Sequence, residues 1–152
     1  MDFGQAIKSV FSKYVNFRGR AARSEFWFWN LFTTLAGIGA ALVDAAIWTA
    51  MDSRVALVGD VWSLAVFLPT IAVAVRRLHD TDRTGWWLFL FFLPLVGGIV
   101  LIVWFCFKGT LRYNRFGPNP LPAELSLHSA GRSLLREQKD RAAGAAPPRA
   151  EN

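Results

Sequence analysis

The sequence predicts an all-α integral membrane protein: an N-terminal amphipathic interfacial helix followed by three hydrophobic membrane segments. Three observations carry that expectation. The chain is 53% hydrophobic and only 18% charged. Its apolar residues gather in three runs, Phe26–Met51, Val55–Val75 and Trp86–Phe107, which are 26, 21 and 22 residues long and fill close to half of the 152 positions. A helix of that length reaches about 32 Å, enough to cross a hydrocarbon core of about 30 Å. Aromatic residues also mark where runs begin, as Phe26-Trp27-Phe28-Trp29 and as Trp86-Trp87, the belt expected at headgroup depth.

The elements follow in order. Over residues 2–15, Phe3, Ala6, Ile7, Val10, Phe11 and Tyr14 recur at spacings of three and four. Gln5, Lys8, Ser9, Ser12 and Lys13 face away, which predicts an amphipathic helix lying in the membrane interface with its aromatic stripe in lipid. Residues 16–25 form a basic elbow in which Ser24 is suited to N-cap the next helix and Glu25 to meet its dipole. Asp44, Asp52, Arg54 and Asp60 mark the turn between the first two runs and trim their hydrocarbon segments to about 26–46 and 58–76. The third segment, 86–107, has no charged residue but carries Pro94 and Gly97-Gly98 near its middle. It is expected to be kinked or re-entrant. A membrane domain over 1–120 then gives way to a tail, 121–152, rich in Ala, Gly, Arg, Pro and Ser, expected to be disordered with a weak helix near 124–140.

Charge sets a topology and exposes a conflict in it. Lys8, Lys13, Arg18, Arg20 and Arg23 precede the first run, Arg54 alone lies in the first loop, and Arg76, Arg77 and Arg83 lie in the second. The positive-inside rule puts the N-terminus and second loop in the cytoplasm. A kinked third span, the preferred form, sends Lys108, Arg112 and Arg115 outside, against that rule. A re-entrant hairpin brings them back, but leaves irregular backbone at mid-bilayer that protein must cover.

Several function classes drop out. The net charge of +6 sits beside apolar runs, so anionic lipid explains it better than nucleic acid, and no nucleic-acid partner is expected. The single cysteine, Cys106, lies inside the third run and offers no disulfide or thiolate site. The first run is too long for a cleavable signal, and Asp2 excludes N-myristoylation. No cofactor, metal site or catalytic residue is expected: His79 has only His128 of the tail for company, and no nucleophile motif occurs. Asp44 and Asp60 lie near the ends of their runs, where wet interfacial positions fit better than an ion path.

The arginines are the informative feature. Eight of them, Arg18, Arg20, Arg23, Arg76, Arg77, Arg83, Arg112 and Arg115, face three nearby acids, Glu25, Asp80 and Asp82. Arginine is favoured over lysine where a planar fork grips a carboxylate or phosphate. Two uses fit. One is topology-setting charge plus Arg–carboxylate pairs that join the elbow to the second loop, with Glu25, His79, Asp80 and Asp82 as the polar network. The other is anion binding, foremost a lipid headgroup, by Arg18, Arg20, Arg23, Arg76, Arg77 and Arg83.

Three stretches then resemble a bacterial inner-membrane family catalogued as domain of unknown function 805. They are Phe17-Arg18-Gly19-Arg20-Ala21-Ala22-Arg23-Ser24-Glu25-Phe26-Trp27, Arg76-Arg77-Leu78-His79-Asp80-Thr81-Asp82-Arg83-Thr84-Gly85-Trp86-Trp87 and Asn114-Arg115-Phe116-Gly117-Pro118. The likeness covers roughly residues 3–120. The family's second motif is usually Thr-Gly-Arg-Ser-Gly-Trp-Trp, so Asp82 stands where a glycine is usual and Thr84 where a serine is. The resemblance implies a small, integral, multi-pass protein of the bacterial inner membrane and supplies no activity. The expected function is a non-enzymatic module binding anionic membrane lipid, or a membrane-protein partner or second copy, through an Arg-rich cytoplasmic face. The alternative is a subunit or regulator of a transport or enzyme complex with His79 and Asp80 in a polar site.

Overall fold

The structure is a computed structural model and describes residues 1–51, 57–121 and 123–144. Among these residues it is all helical, with no β-strand: α1 (Phe3–Ser12), α2 (Arg23–Met51), α3 (Leu57–Asp80), a 3-10 helix (Gly85–Phe92), α4 (Val96–Cys106) and α5 (Ala123–Gly144).

Helix α1 is shorter than its periodicity predicts. Asp2 is its cap rather than its first turn: Gln5 N donates to Asp2 Oδ1 at 2.8 Å, and Asp2 N donates to Gln5 Oε1 at 3.2 Å, a reciprocal capping box. Residues 13–15 form a turn. The apolar stripe is divided between protein and surroundings. Ala6 and Val10 are fully buried on the side that packs on α2, Phe11 sits edge-on against Trp29 at 5.1 Å, and Phe3 and Phe11 keep more than a third of their surface exposed. Ser9, expected to face away, turns inward to Glu25.

Helix α2 begins at Arg23, so Ser24 lies inside its first turn and is not the cap. Helices α2 and α3 are each long and apolar enough to cross a membrane, and they run antiparallel. Three pairings fix the register: Trp29 Nε1 donates to Thr70 Oγ1 at 3.0 Å, Trp62 Nε1 to the Thr33 carbonyl at 3.3 Å, and Val58 N and Gly59 N to the Asp44 carboxylate at 3.0 and 2.7 Å. Asp44 is therefore buried, not wet. It satisfies two backbone donors that the start of α3 leaves open and complements the positive end of that helix. The turn residues Asp52 and Arg54 lie outside the described residues.

The third run is neither straight nor a simply kinked helix. Its first leg is the 3-10 helix, Leu93–Leu95 turn the chain, and α4 forms the second leg. The legs lie side by side. Trp87 and Trp104 meet edge to face at 5.4 Å, and a Cβ on Gly97 would fall 1.7 Å from the Leu90 carbonyl oxygen, so only glycine permits the approach. At about 2.0 Å rise per residue for the 3-10 leg and about 1.5 Å for α4, each leg reaches roughly 16 Å, half a hydrocarbon core. Leu95, at φ 63° and ψ −64°, is the centre of a γ-turn closed by Val96 N donating to the Pro94 carbonyl at 2.8 Å, the rare and strained form of that turn. The chain after the hairpin returns to the end of α3, where Thr110 N donates to the Asp80 carbonyl at 2.9 Å.

Phe26, Trp29, Val73, Leu78, Leu101 and Phe105 form the packed core around that end, with the Phe26 and Phe105 rings 4.4 Å apart. Leu42, Val61, Leu64, Phe91, Phe92 and Leu95 are exposed, an apolar exterior suited to lipid. Residues 1–120 form one unit and α5 belongs to a second. The segment 121–152, expected as a disordered tail with a weak helix near 124–140, carries α5 over Ala123–Gly144; residues 145–152 lie outside the described residues.

Candidate functional site

The last turn of α3 gathers the three arginine-bearing stretches. Arg76 and Arg77 are adjacent and Asp80 follows one turn on, so Arg77 and Asp80 share a face and pair with each other while Arg76 reaches Glu25. Asp80 Oδ1 accepts from Arg20 Nε at 2.9 Å and lies 2.8 Å from its Nη2 in the ion pair, and Asp80 Oδ2 accepts from Arg77 Nη1. Arg20 also donates to the carbonyls of Thr110, of Arg112 at 2.9 Å and of Gly117 at 3.3 Å. Arg77 donates to the Phe105 carbonyl, from Nε at 3.2 Å and from Nη2 at 3.1 Å, and to that of Phe107. One carboxylate thus joins two buried guanidiniums, and five backbone carbonyls absorb the remaining positive charge. The seam closes around Gly109, where a Cβ would lie 1.9 Å from Asp80 Oδ2.

A second pair lies one turn away. Arg76 Nη1 donates to Glu25 Oε1 at 3.0 Å, and the same oxygen accepts from Ser9 Oγ at 3.1 Å. The Ser9–Glu25 bond ties α1 into the network, and Lys13 Nζ donates to Ser9 Oγ at 3.1 Å from the end of the same helix. Arg76 Nη2 is buried with no hydrogen-bond partner among the described residues. Breaking a buried pair of this kind costs about 3–5 kcal/mol, because the charge left behind stays desolvated.

His79 and Asp80 take separate partners. His79 Nδ1 donates to the Gly19 carbonyl at 3.1 Å, and its ring stacks on Phe116 with centroids 3.8 Å apart and planes within 3°. Asn114 Nδ2 donates to the His79 carbonyl at 2.9 Å and to Thr110 Oγ1 at 3.0 Å. The imidazole is a strut between the elbow and the segment after the hairpin.

Helix α3 ends in a Schellman motif: Arg83 N donates to the Leu78 carbonyl and Asp82 N to that of His79, both at 3.0 Å, with Asp82 in the left-handed region at φ 59°. The acid therefore occupies the position where a glycine serves best, and its exposed carboxylate pairs with Arg115 at 3.2 Å.

The six arginines assigned to anion binding divide accordingly. Arg20, Arg76 and Arg77 are buried in ion pairs, so they hold the protein together and present no free fork. Arg18 and Arg23 are exposed, with Arg23 Nη1 reaching the Cys106 carbonyl at 3.1 Å, and Arg83 is half-buried over the Trp104 ring. Lys108 and Arg112, also exposed, stand at the same end. Gly109, Thr110, Asn114, Phe116 and Ser9 escape a reading of the sequence. Only the Asn114–Pro118 motif signalled part of them, and the acceptor carbonyls have no side-chain signature.

The family described as "Protein of unknown function (DUF805)" matches residues 14–118. The chain is 43% identical over 112 residues to inner membrane protein YhaI of Escherichia coli (strain K12), covering 74% of this chain and 92% of that one. It is 40% identical over 111 residues to inner membrane protein YhaH of the same strain, covering 73% and 92%. Uncharacterized protein YiiR, also of that strain, is 37% identical over 81 residues, 49% of this chain and 48% of that one. No solved structure matches.

Proposed function

Because the chain belongs to the family described as protein of unknown function DUF805, which brings no assigned activity, we propose a function from its own geometry: a non-enzymatic membrane module that binds anionic lipid through an Arg-rich cytoplasmic face. The chain is an inner-membrane protein, as its relatives YhaI and YhaH are. In this reading α2 and α3 cross the bilayer, the third run re-enters, and residues 108–120 return to the cytoplasmic side. Leg lengths of about 16 Å and the bonds from Arg20 and Arg77 to residues 105–117 support that topology. The conflict with the positive-inside rule then disappears.

The observation that carries the reading is the division of the arginines. The buried network consumes Arg20, Arg76 and Arg77, while Arg18, Arg23, Arg83, Lys108 and Arg112 have no carboxylate partner among the described residues. Cations gathered at one end without counter-charges suit anionic headgroups, each contributing about 1 kcal/mol near such a surface. A complex subunit with His79 and Asp80 in a polar reaction site finds less support, since both are engaged in packing contacts.

The test has two parts. A compartment-sensitive reporter fused after Pro120 reports from the cytoplasm, and lipid retained by the purified protein is enriched in anionic species. An Arg18→Gln/Arg112→Gln variant loses part of that enrichment while staying folded. A periplasmic reporter, or retention blind to headgroup charge, overturns the proposal.

A further inference from the structure

One arginine of that face differs from the others in how it is held. Arg83 follows the α3 cap, and its guanidinium carbon lies 4.5 Å from the centroid of the Trp104 ring and 5.8 Å from that of Phe107. Its neighbouring acid, Asp82, is turned away by left-handed backbone and taken by Arg115. Among the described residues Arg83 makes one side-chain hydrogen bond, from Nη1 to the Thr81 carbonyl at 3.3 Å, and meets no carboxylate. A guanidinium offers five N–H donors in a rigid fork, so most of this one is unspent. Two aromatic rings lie against it, which restrains the side chain and lowers the entropy lost when it grips a tetrahedral anion.

Its surroundings point to one kind of anion. Trp87 packs edge-on against Trp104, Trp86 and Trp87 are exposed beside it at the start of the hairpin, and Lys108 follows Phe107 at the end of the hairpin. Indoles of this sort settle at headgroup depth, and the exposed Lys108, next in sequence to Phe107, supplies a second positive charge. We propose that Arg83, braced on Trp104 and Phe107 and assisted by Lys108, is the binding site for the phosphate of an anionic phospholipid headgroup. This rests on the lipid-binding reading above and makes it specific. The site sits where both legs of the hairpin meet the membrane surface, so the bound lipid packs its chains along the exposed faces of the 3-10 helix and α4.

The full-length chain in detergent is titrated with phosphatidylglycerol, with phosphatidylcholine and, separately, with inorganic phosphate, and bound molecules are counted by native mass spectrometry. The wild type is expected to retain phosphatidylglycerol over phosphatidylcholine. Arg83→Gln is expected to lose roughly tenfold of that preference, as befits one charged hydrogen-bonding group, and Arg112→Gln to lose less. Arg83→Lys keeps the charge without the plane, and Trp104→Leu keeps the arginine without its brace; each is expected to lose part of the preference. If Arg83→Gln does not fold, Arg83→Lys carries the comparison. Full retention by the Arg83 variants, with the wild type still preferring the anionic lipid, overturns this site and leaves the broader reading standing. A wild type with no preference overturns both. If inorganic phosphate binds as tightly as phosphatidylglycerol, the ligand is free phosphate and the lipid assignment falls.

Discussion

Tyr14 supplies the hydrogen bond that Pro69 takes away. Within α3 the residue at 69 has no N–H, so the carbonyl of Ala65, four residues earlier, loses its helical donor, and the Tyr14 hydroxyl donates to that same oxygen. In a membrane span an unpaired carbonyl has no water to turn to, which makes the contact worth more than its exposed position on the bare protein implies. Tyr14→Phe is expected to lower stability by about 1 kcal/mol. Pro69→Ala restores the intrahelical donor, so Tyr14→Phe in that background is expected to cost much less. Unfolding in mixed micelles of all four combinations measures the coupling. Equal penalties in both backgrounds would disprove it.

Asp80 holds two guanidinium groups at once, and among the described residues neither has another acid. Asp80→Asn is expected to cost about 3–5 kcal/mol, since Arg20 and Arg77 remain buried without a counter-charge. By contrast, Asp82→Asn touches only an exposed pair with Arg115 and is expected to cost less than about 1 kcal/mol. Thermal unfolding followed by size exclusion separates the two. Similar losses in both variants would mean that Asp80 is not the centre of the network.

Adjacent glycines in α4 are expected to respond oppositely to one methyl group. Gly97→Ala drives a Cβ into the Leu90 carbonyl and is expected to cost at least about 1–3 kcal/mol by prising the hairpin legs apart. At Gly98 the same Cβ meets nothing within 4 Å, so Gly98→Ala is expected to stabilise α4 by up to about 1 kcal/mol. Melting temperatures of the pair decide it, and a tolerated Gly97→Ala would rule out this contact between the legs.

At position 82, Gly and Asp are expected to be close in stability and Val well below both. Asp82→Gly relaxes the left-handed cap and forgoes the Arg115 pair, leaving a change within about 1 kcal/mol. Asp82→Val puts a β-branched residue at φ 59° and is expected to cost about 1–2 kcal/mol or more. A valine variant as stable as the wild type would remove the cap argument.

Much of the membrane architecture was legible because it is periodic and long. Residues 26–46 and 58–76 fall within α2 and α3, and the N-terminal stripe from Phe3 to Phe11 falls on α1, with Tyr14 in the turn beyond it. The third run was not legible in the same way. Where every residue from Trp86 to Phe107 is apolar or glycine, no polar face reports the period, so a 3-10 leg and an α leg look alike. Arginine counts showed that a grip was needed, and the pairs joining the elbow to the second loop were among the expected uses. Which arginines pair internally depended on where Asp80 points and on carbonyls of residues 105–117. Main-chain oxygens are identical at every position, and only the fold makes five of them converge.

The reach of Arg20 also sets an order of assembly. Its partners are Asp80, 60 residues later, and the carbonyls of Thr110, Arg112 and Gly117, up to 97 residues later. A chain made from its N-terminus outward has Asp80 in reach well before residue 117 has left the ribosome. Until then Arg20 lacks part of its set of acceptors, while the Glu25–Arg76 pair and the His79–Gly19 bond already join the elbow to α3. Closure of the Arg20 network therefore waits for residue 117, and a nascent chain stopped short of Gly117 lacks the last of that side chain's carbonyl acceptors.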